Sequence, residues 1–245
     1  MISLPYTIVL CRPEESRNIG SVCRAMKNMG CTDLRIVGDK NSFSDQEVRR
    51  LAVHASDIWE NARFFHPSKE GLTEALSDCS IAAGTTRRMG QKRKSWGMTP
   101  DQFAVFASQS GDSKKAVVFG TERTGLTDEE LSCCTVAVNI PTSDTFPSLN
   151  LSHAVQIMTY TLFKEYDSKN RGYEPIEISR LAKITKRIGE NLTRIGLYKT
   201  SGKVDNDEFL QDIFSRAALS EGEAKRLESL FQKITYIKTE CLQDK

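Results

Sequence analysis

The chain has 245 residues, 34 Lys and Arg against 32 Asp and Glu, and 39% hydrophobic residues. That length suits one large domain, or a domain of roughly 150–170 residues beside a smaller one, and it can bury a core without disulfide staples. Apolar runs of only a few residues exclude a membrane helix, which needs ~20, and the mixed composition excludes collagen-like, disordered and disulfide-scaffold classes.

Residues 6–11 (YTIVLC) are an unbroken β-rich run and are predicted as a strand. Residues 18–29 place Val22, Ala25, Met26 and Met29 on one helical face, with Gly30 as the stop signal. Residues 34–37 read as a second strand, 44–53 as a helix opened by Ser44 and Asp45, 62–65 as a short strand and 71–78 as a helix. Residues 80–85 and 116–120 are apolar strands that end in or near glycine, with a helix at 100–108 between them opened by Thr99-Pro100-Asp101. Residues 135–140 form another strand, a polar loop follows, and 151–165 read as a long helix. Strands separated by helices imply parallel βαβ units, so the expected fold class is α/β. Ligands in such sheets sit beyond the carboxyl ends of strands, here Gly84-Thr85, Gly120-Thr121-Glu122 and Ile140-Pro141.

Residues 167–176 are polar, contain Gly and Pro, and read as a linker. Beyond them the β signal stops. Ile178, Leu181, Ile184, Ile188, Leu192 and Ile195 keep helical spacing, a second helix carries Phe209, Leu210, Ile213 and Phe214, and a third opens on the capping box Ser220-x-x-Glu223 and carries Leu227, Leu230, Phe231 and Ile234. The division expected is therefore 1–166, a linker at 167–176 and a helical module at 177–245. The N-terminal segment lacks the basic and apolar regions of a signal peptide. Seven cysteines without C-x-x-C spacing and three scattered histidines give no zinc pattern, and reduced, buried thiols in a cytoplasmic protein are expected. Net charge is only +2, but Arg87, Arg88, Lys92, Arg93 and Lys94 cluster without an acid, and the first helix of the tail is rich in Arg and Lys. Two basic regions in a near-neutral chain fit either solvated faces or a polyanion partner.

No dinucleotide glycine fingerprint, Walker A sequence, nucleophile elbow or metal-ligand cluster occurs. Three segments stand out. Residues 18–27 (NIGSVCRAMK) put Asn18 near a helix N-terminus and Arg24 about two turns in, which suits an anion and equally suits a capped amphipathic helix. Residues 119–126 (FGTERTGL) leave a strand through two glycines, as a ligand loop or a plain strand–helix connection does. Residues 147–152 (PSLNLS) open the long helix, where Ser148 or Asn150 can cap it.

Together, N-x-G-S-V-x-R-A-M-K, F-G-x-E-x-x-G-L and I-P…S-L-N-L-S-x-A-V, in that order, resemble the three motifs of the SpoU branch of SPOUT RNA 2′-O-ribose methyltransferases. The resemblance covers roughly residues 5–166 and is nearest the TrmJ type, which methylates a ribose in the tRNA anticodon loop. It implies a parallel sheet whose C-terminal part is tied in a trefoil knot, S-adenosylmethionine as cofactor, no metal, no membrane, and a homodimer in which motif 1 faces the partner's cofactor pocket. The cofactor contacts implied are Thr85, Thr86, Arg87, Gly120, Ile140, Pro147, Ser148 and Leu149. The catalytic set implied is Arg24, with Asn18, Glu122, Ser148 and Asn150 around it. A guanidinium whose pKa exceeds ~12 is hard to deprotonate, so clamping phosphate and stabilising developing alkoxide charge is the sounder role for Arg24. Arg88, Lys92, Arg93, Lys94, Arg180, Lys183 and Arg187 are the expected RNA contacts. The expected activity is methylation of a tRNA anticodon-loop ribose at position 32; ribosomal RNA, another tRNA position, or a non-catalytic RNA-binding role are the alternatives. A nicotinamide oxidoreductase lacks its fingerprint here.

Overall fold

The computed structural model describes residues 4–87, 97–166, 174–197 and 203–243. All six residues of β1 (Tyr6–Cys11) are buried, which is what a run without polar alternation requires of a strand covered on both faces. It is followed by α1 (Ser16–Asn28), β2 (Asp33–Val37), α2 (Asp45–Ala52), α3 (Ser56–Glu60), β3 (Arg63–Phe65) and α4 (Lys69–Leu76). Then come β4 (Ile81–Thr85), β5 (Gly97–Met98), α5 (Pro100–Ser108), β6 (Lys115–Phe119), α6 (Asp128–Ser132), β7 (Val136–Val138) and α7 (Leu151–Glu165). The strands form one sheet in the order β3-β2-β1-β6-β4-β7-β5, with every pair parallel. The α/β expectation is met.

Two of these elements, α3 and α6, and the two-residue β5 were not anticipated: each is too short to show a period. The strand expected at 135–140 is only three residues long; the Asn139 N–H still donates to Met98 O of β5 at 2.9 Å, and its side chain holds a neighbouring loop. Alternate strand residues such as Ile8, Leu10, Ile81 and Val117 share one core with α1, α2, α3, α5 and α7. On the opposite face, Leu131 and Cys134, in and just after α6, lie against Gly84. Coverage on both faces aims the loops at the carboxyl edge of the sheet, where β4, β6 and β7 end side by side.

The chain divides into two compact units, 1–173 and 174–245. The second contains α8 (Ile178–Arg194), α9 (Lys203–Ala217) and α10 (Glu221–Gln243). Its core gathers Leu181, Ile184, Ile188 and Leu192 of α8 with Leu219 and Ala224. The Ser220–Glu223 capping box forms. Of the segment read as a linker, residues 167–173 lie outside the described residues, while Pro175 bridges Ser220 and the Ile176 N–H donates to Leu219 O at 2.8 Å. Phe209 and Leu230, assigned to apolar faces from spacing, are 60% and 54% exposed: the apolar stripes of α9 and α10 are wider than the area this unit covers.

Candidate active site

Beyond β6 the chain makes a narrow reversal. A Cβ at Gly120 would fall within the backbone of Gly125 and Leu126, and Gly125 has φ +69°, a conformation glycine adopts without steric cost. The Gly125 N–H donates to Thr121 O at 3.0 Å, and the Thr121 and Thr124 hydroxyls meet at 2.9 Å. The tip of the reversal presents Glu122 and Arg123.

The loops after β4 and β7 are tied to each other. The Asn139 side-chain amide donates to Thr86 O at 3.1 Å and to Arg87 O at 3.0 Å, and the Thr86 N–H donates to Val138 O at 2.9 Å. Further on, the Thr142 hydroxyl donates to Pro147 O at 3.2 Å and folds the segment before α7 back on itself. The three loops enclose a cavity of about 320 Å³, within the usual range for small-molecule sites. Thr85, Thr86 and Arg87 line it after β4, Gly120 after β6, Ile140 after β7, and Pro147, Ser148 and Leu149 before α7. All eight residues assigned to the cofactor by resemblance thus lie on one wall or another of a single cavity. Thr121, Arg123, Thr124, Leu126 and Thr142 also line it; they were missed, although they occupy the same three loops.

A polar network joins the three motifs. Glu122 accepts from the Glu14 N–H (2.9 Å) through Oε2, and from the Glu15 N–H (3.3 Å) and Asn18 Nδ2 (2.9 Å) through Oε1. Asn18 Oδ1 in turn accepts from Asn150 Nδ2 at 3.0 Å. Asn150 also caps α7, its Oδ1 accepting from the Ser152 N–H at 2.9 Å, so the capping role and the motif role coexist. Both Glu122 oxygens are engaged by the chain's own donors, and its carboxylate anchors the β1–α1 loop. That loop is held a second time: Arg12, with φ +50°, forms a two-pronged pair with Glu130 at 2.7 and 3.0 Å. Burial opposes ionisation of Glu130, but the Arg12 guanidinium and the Thr127 N–H outweigh it and hold the carboxyl below the usual range.

Arg24 stands apart from this cavity. It is exposed on α1, lines no part of the cavity and has no hydrogen-bond or ion-pair partner among the described residues. Ser148 is exposed at the cavity wall. Of the expected RNA contacts, Arg88, Lys92, Arg93 and Lys94 lie outside the described residues. Lys183 is exposed on α8. Arg180 is instead spent within the helical unit, on Glu221 at 3.1 Å and Glu228 at 2.8 Å, and Arg187 reaches Glu228 at 3.2 Å.

Residues 5–160 match the family model of the SpoU rRNA methylase family. The chain belongs to this family. Among curated SpoU-type relatives, the tRNA (cytidine-2′-O-)-methyltransferase TrmJ of Methanocaldococcus jannaschii is 38% identical over 160 residues, 64% of this chain and 66% of that protein. An uncharacterized tRNA/rRNA methyltransferase of Haemophilus influenzae is 32% identical over 238 residues, 93% of each chain. In three dimensions the crystal structure of TrmJ from Z. mobilis ZM4 superposes with a TM-score of 0.74 at 25% identity, covering 96% of this chain and 99% of that one. The matched segment 5–160 includes every residue that lines the cavity. Among the described residues, no helix is long and apolar enough to cross a membrane and no cluster of His, Cys, Asp or Glu could hold a metal ion.

Proposed function

We propose that this SpoU protein methylates a ribose 2′-hydroxyl of tRNA, at position 32 of the anticodon loop, with S-adenosylmethionine as methyl donor. The observation that carries the reading is the convergence of three distant loops on one cavity, joined by the Asn18–Glu122–Asn150 network. The relatives named TrmJ, whose names specify tRNA 2′-O-methylation, support the substrate.

The cavity suits the cofactor. Its walls combine apolar Leu126, Ile140, Leu149 and Leu151 with loop backbone, the surroundings in which main-chain groups can read an adenine edge. Thr85–Arg87, Ile140 and Pro147–Leu149 are the residues that would hold it. When bound, S-adenosylmethionine supplies an electrophilic methyl group. The protein's task is then to hold the hydroxyl in line and to stabilise negative charge developing on its oxygen. Arg24 serves that end as a phosphate clamp and positive charge. Ser148 Oγ, on the cavity wall, orients the hydroxyl, and Glu122 and Asn18 fix the loop that leads into α1.

Several further elements belong to the same proposal. Because Arg24 does not line its own cavity while Ile157, Tyr160 and Phe163 of α7 expose apolar surface, a homodimer that brings Arg24 to the partner's cavity completes the site. The placement of β7 between the earlier strands β4 and β5 supports a trefoil knot. The segment 1–166 is the catalytic domain, and residues 177–245 are an RNA-binding extension acting through Lys183. Buried free thiols support a cytoplasmic setting.

Labelled S-adenosylmethionine offered with separate pools of unmodified tRNA and rRNA tests the reading. Label at an anticodon-loop ribose of tRNA, reduced at least a hundredfold by Arg24→Ala, is the expected result. Label confined to rRNA would replace the substrate, and no label in either pool would sink the assignment.

A further inference from the structure

The ion pairs of the first unit leave a pattern on α1. Arg12, Arg35, Arg49, Arg63 and Arg123 each pair with a carboxylate, and so does Lys27, whose Nζ lies 2.7 Å from Asp57. Arg17, Arg24, Arg50 and Arg87 have no such partner among the described residues. Only Arg17 and Arg24 share an element. They are seven residues apart, so with Ser21 and Asn28 they fall within an arc of about 60° on one helix face. Arg17, Arg24 and Asn28 are exposed and Ser21 is half-buried. No acid interrupts this stripe. The Ser21 hydroxyl donates to Arg17 O at 3.1 Å, and Asn18, next to Arg17, is fixed by Glu122 and Asn150.

Two uncompensated arginines about 10 Å apart along a helix axis are placed to meet separate phosphates of one strand. A helix face that is basic, free of acids and anchored at one end to the motif network fits a polyanionic strand. We infer that Arg17 is a second phosphate-binding residue of the substrate RNA, and that the strand carrying the target ribose runs along α1 from Arg17 to Arg24. The assignment of RNA as the ligand rests on the proposed function. The unequal treatment of the arginines is independent of it.

The test compares the full-length wild-type protein with Arg17→Ala, Arg17→Lys and Arg49→Ala, the last removing an exposed arginine already paired with Asp45 and Glu60. Fluorescence anisotropy with an unmodified tRNA is run from low to moderate salt. S-adenosylhomocysteine affinity is measured by calorimetry, and methylation is followed at steady state. For Arg17→Ala we expect about tenfold weaker tRNA binding and a salt slope shallower by about 0.7–0.9, the value of one phosphate contact. KM for tRNA should rise about tenfold while kcat stays within threefold. S-adenosylhomocysteine affinity should be unchanged, Arg17→Lys should restore most of the binding, and Arg49→Ala should match wild type. An unchanged slope in Arg17→Ala overturns the inference, as does a loss shared equally by Arg49→Ala, or a loss that tracks dissociation of an oligomer in sedimentation. If the wild-type protein binds tRNA with the Arg17-dependent slope yet methylates nothing, the proposed function fails, the placement of a target ribose fails with it, and only the Arg17–phosphate contact stands.

Discussion

Glu122→Gln separates an anchoring carboxylate from one that acts on substrate. Glu122 accepts three N–H donors through two oxygens, at 2.9, 3.3 and 2.9 Å. Glutamine is nearly isosteric but has one oxygen. In its better orientation it keeps the Glu15 and Asn18 bonds and turns an NH2 towards the Glu14 N–H, so at least one donor loses its acceptor and all three lose the charge. An unsatisfied donor costs ~1–3 kcal/mol when buried. Glu122 is half-exposed and the Glu14 N–H is exposed, so water can replace part of the lost bond and the cost falls to the low end of that range, about 1 kcal/mol. For a folded unit of this size that corresponds to a Tm lower by roughly 2–4 °C. Asn18 loses the fixed position from which it holds Asn150, so single-turnover methylation should fall at least tenfold in parallel. Thermal melts with and without S-adenosylhomocysteine, paired with the single-turnover rate, read both effects. A rate loss with an unchanged Tm would refute the anchoring role and place the carboxylate on the substrate. No change in either would show that the network is dispensable.

Gly120→Ala should abolish the thermal shift produced by S-adenosylhomocysteine, because the added methyl meets backbone at Gly125 and Leu126 that cannot step aside without opening the reversal; affinity within twofold of wild type would contradict this. Acid stability should depend on Arg35, buried in the sheet between Asp33 and Asp78. Burial raises both carboxyl pKa values, but hydrogen bonds from Arg35, with Arg63 and Thr7 on Asp33 and Lys114 on Asp78, outweigh it and leave both lowered. Their contribution is therefore complete above the unfolded carboxyl value of about 4 and is lost as pH falls below it toward the folded values. Urea midpoints between pH 6 and pH 3 should fall more steeply for wild type than for Asp78→Asn, and parallel curves would count against the pair.

What could be read from the sequence followed the length and regularity of each signal. β1, α5, α7 and α8 carry full runs or several turns of consistent spacing, and their positions were evident. The five-residue helices α3 and α6 carry about one turn each, too little for a period. Gly120, Ile140, Pro147, Ser148 and Leu149 were reachable because they lie in or beside the second and third motifs, whereas Thr85, Thr86 and Arg87 lie in no motif and came from the family resemblance alone. The donors that hold Glu122 were not reachable, since two of the three are backbone N–H groups of Glu14 and Glu15, and a peptide N–H leaves no mark in a sequence. The partners of Arg180 are hidden for a related reason. On α8 it reads as a free cation, and the carboxylates that neutralise it, Glu221 and Glu228, lie 41 and 48 residues further along. The Arg12–Glu130 pair, 118 residues apart, is invisible for the same reason.

The separation of Asn18, Glu122 and Asn150 along the chain also dictates when activity can arise during synthesis. β1 can pair with β2 as soon as residue 37 is available, but its other neighbour, β6, ends at Phe119. Glu122 and Asn150 then follow, bonded to a residue made 104 and 132 positions earlier. A nascent chain holding every residue of the first two motifs still lacks the third tie until α7 clears the ribosome. Long-range closures of this kind fold late. Methyltransferase competence should therefore be all or none with respect to chain length, and truncation products ending before residue 150 should leave tRNA unmodified.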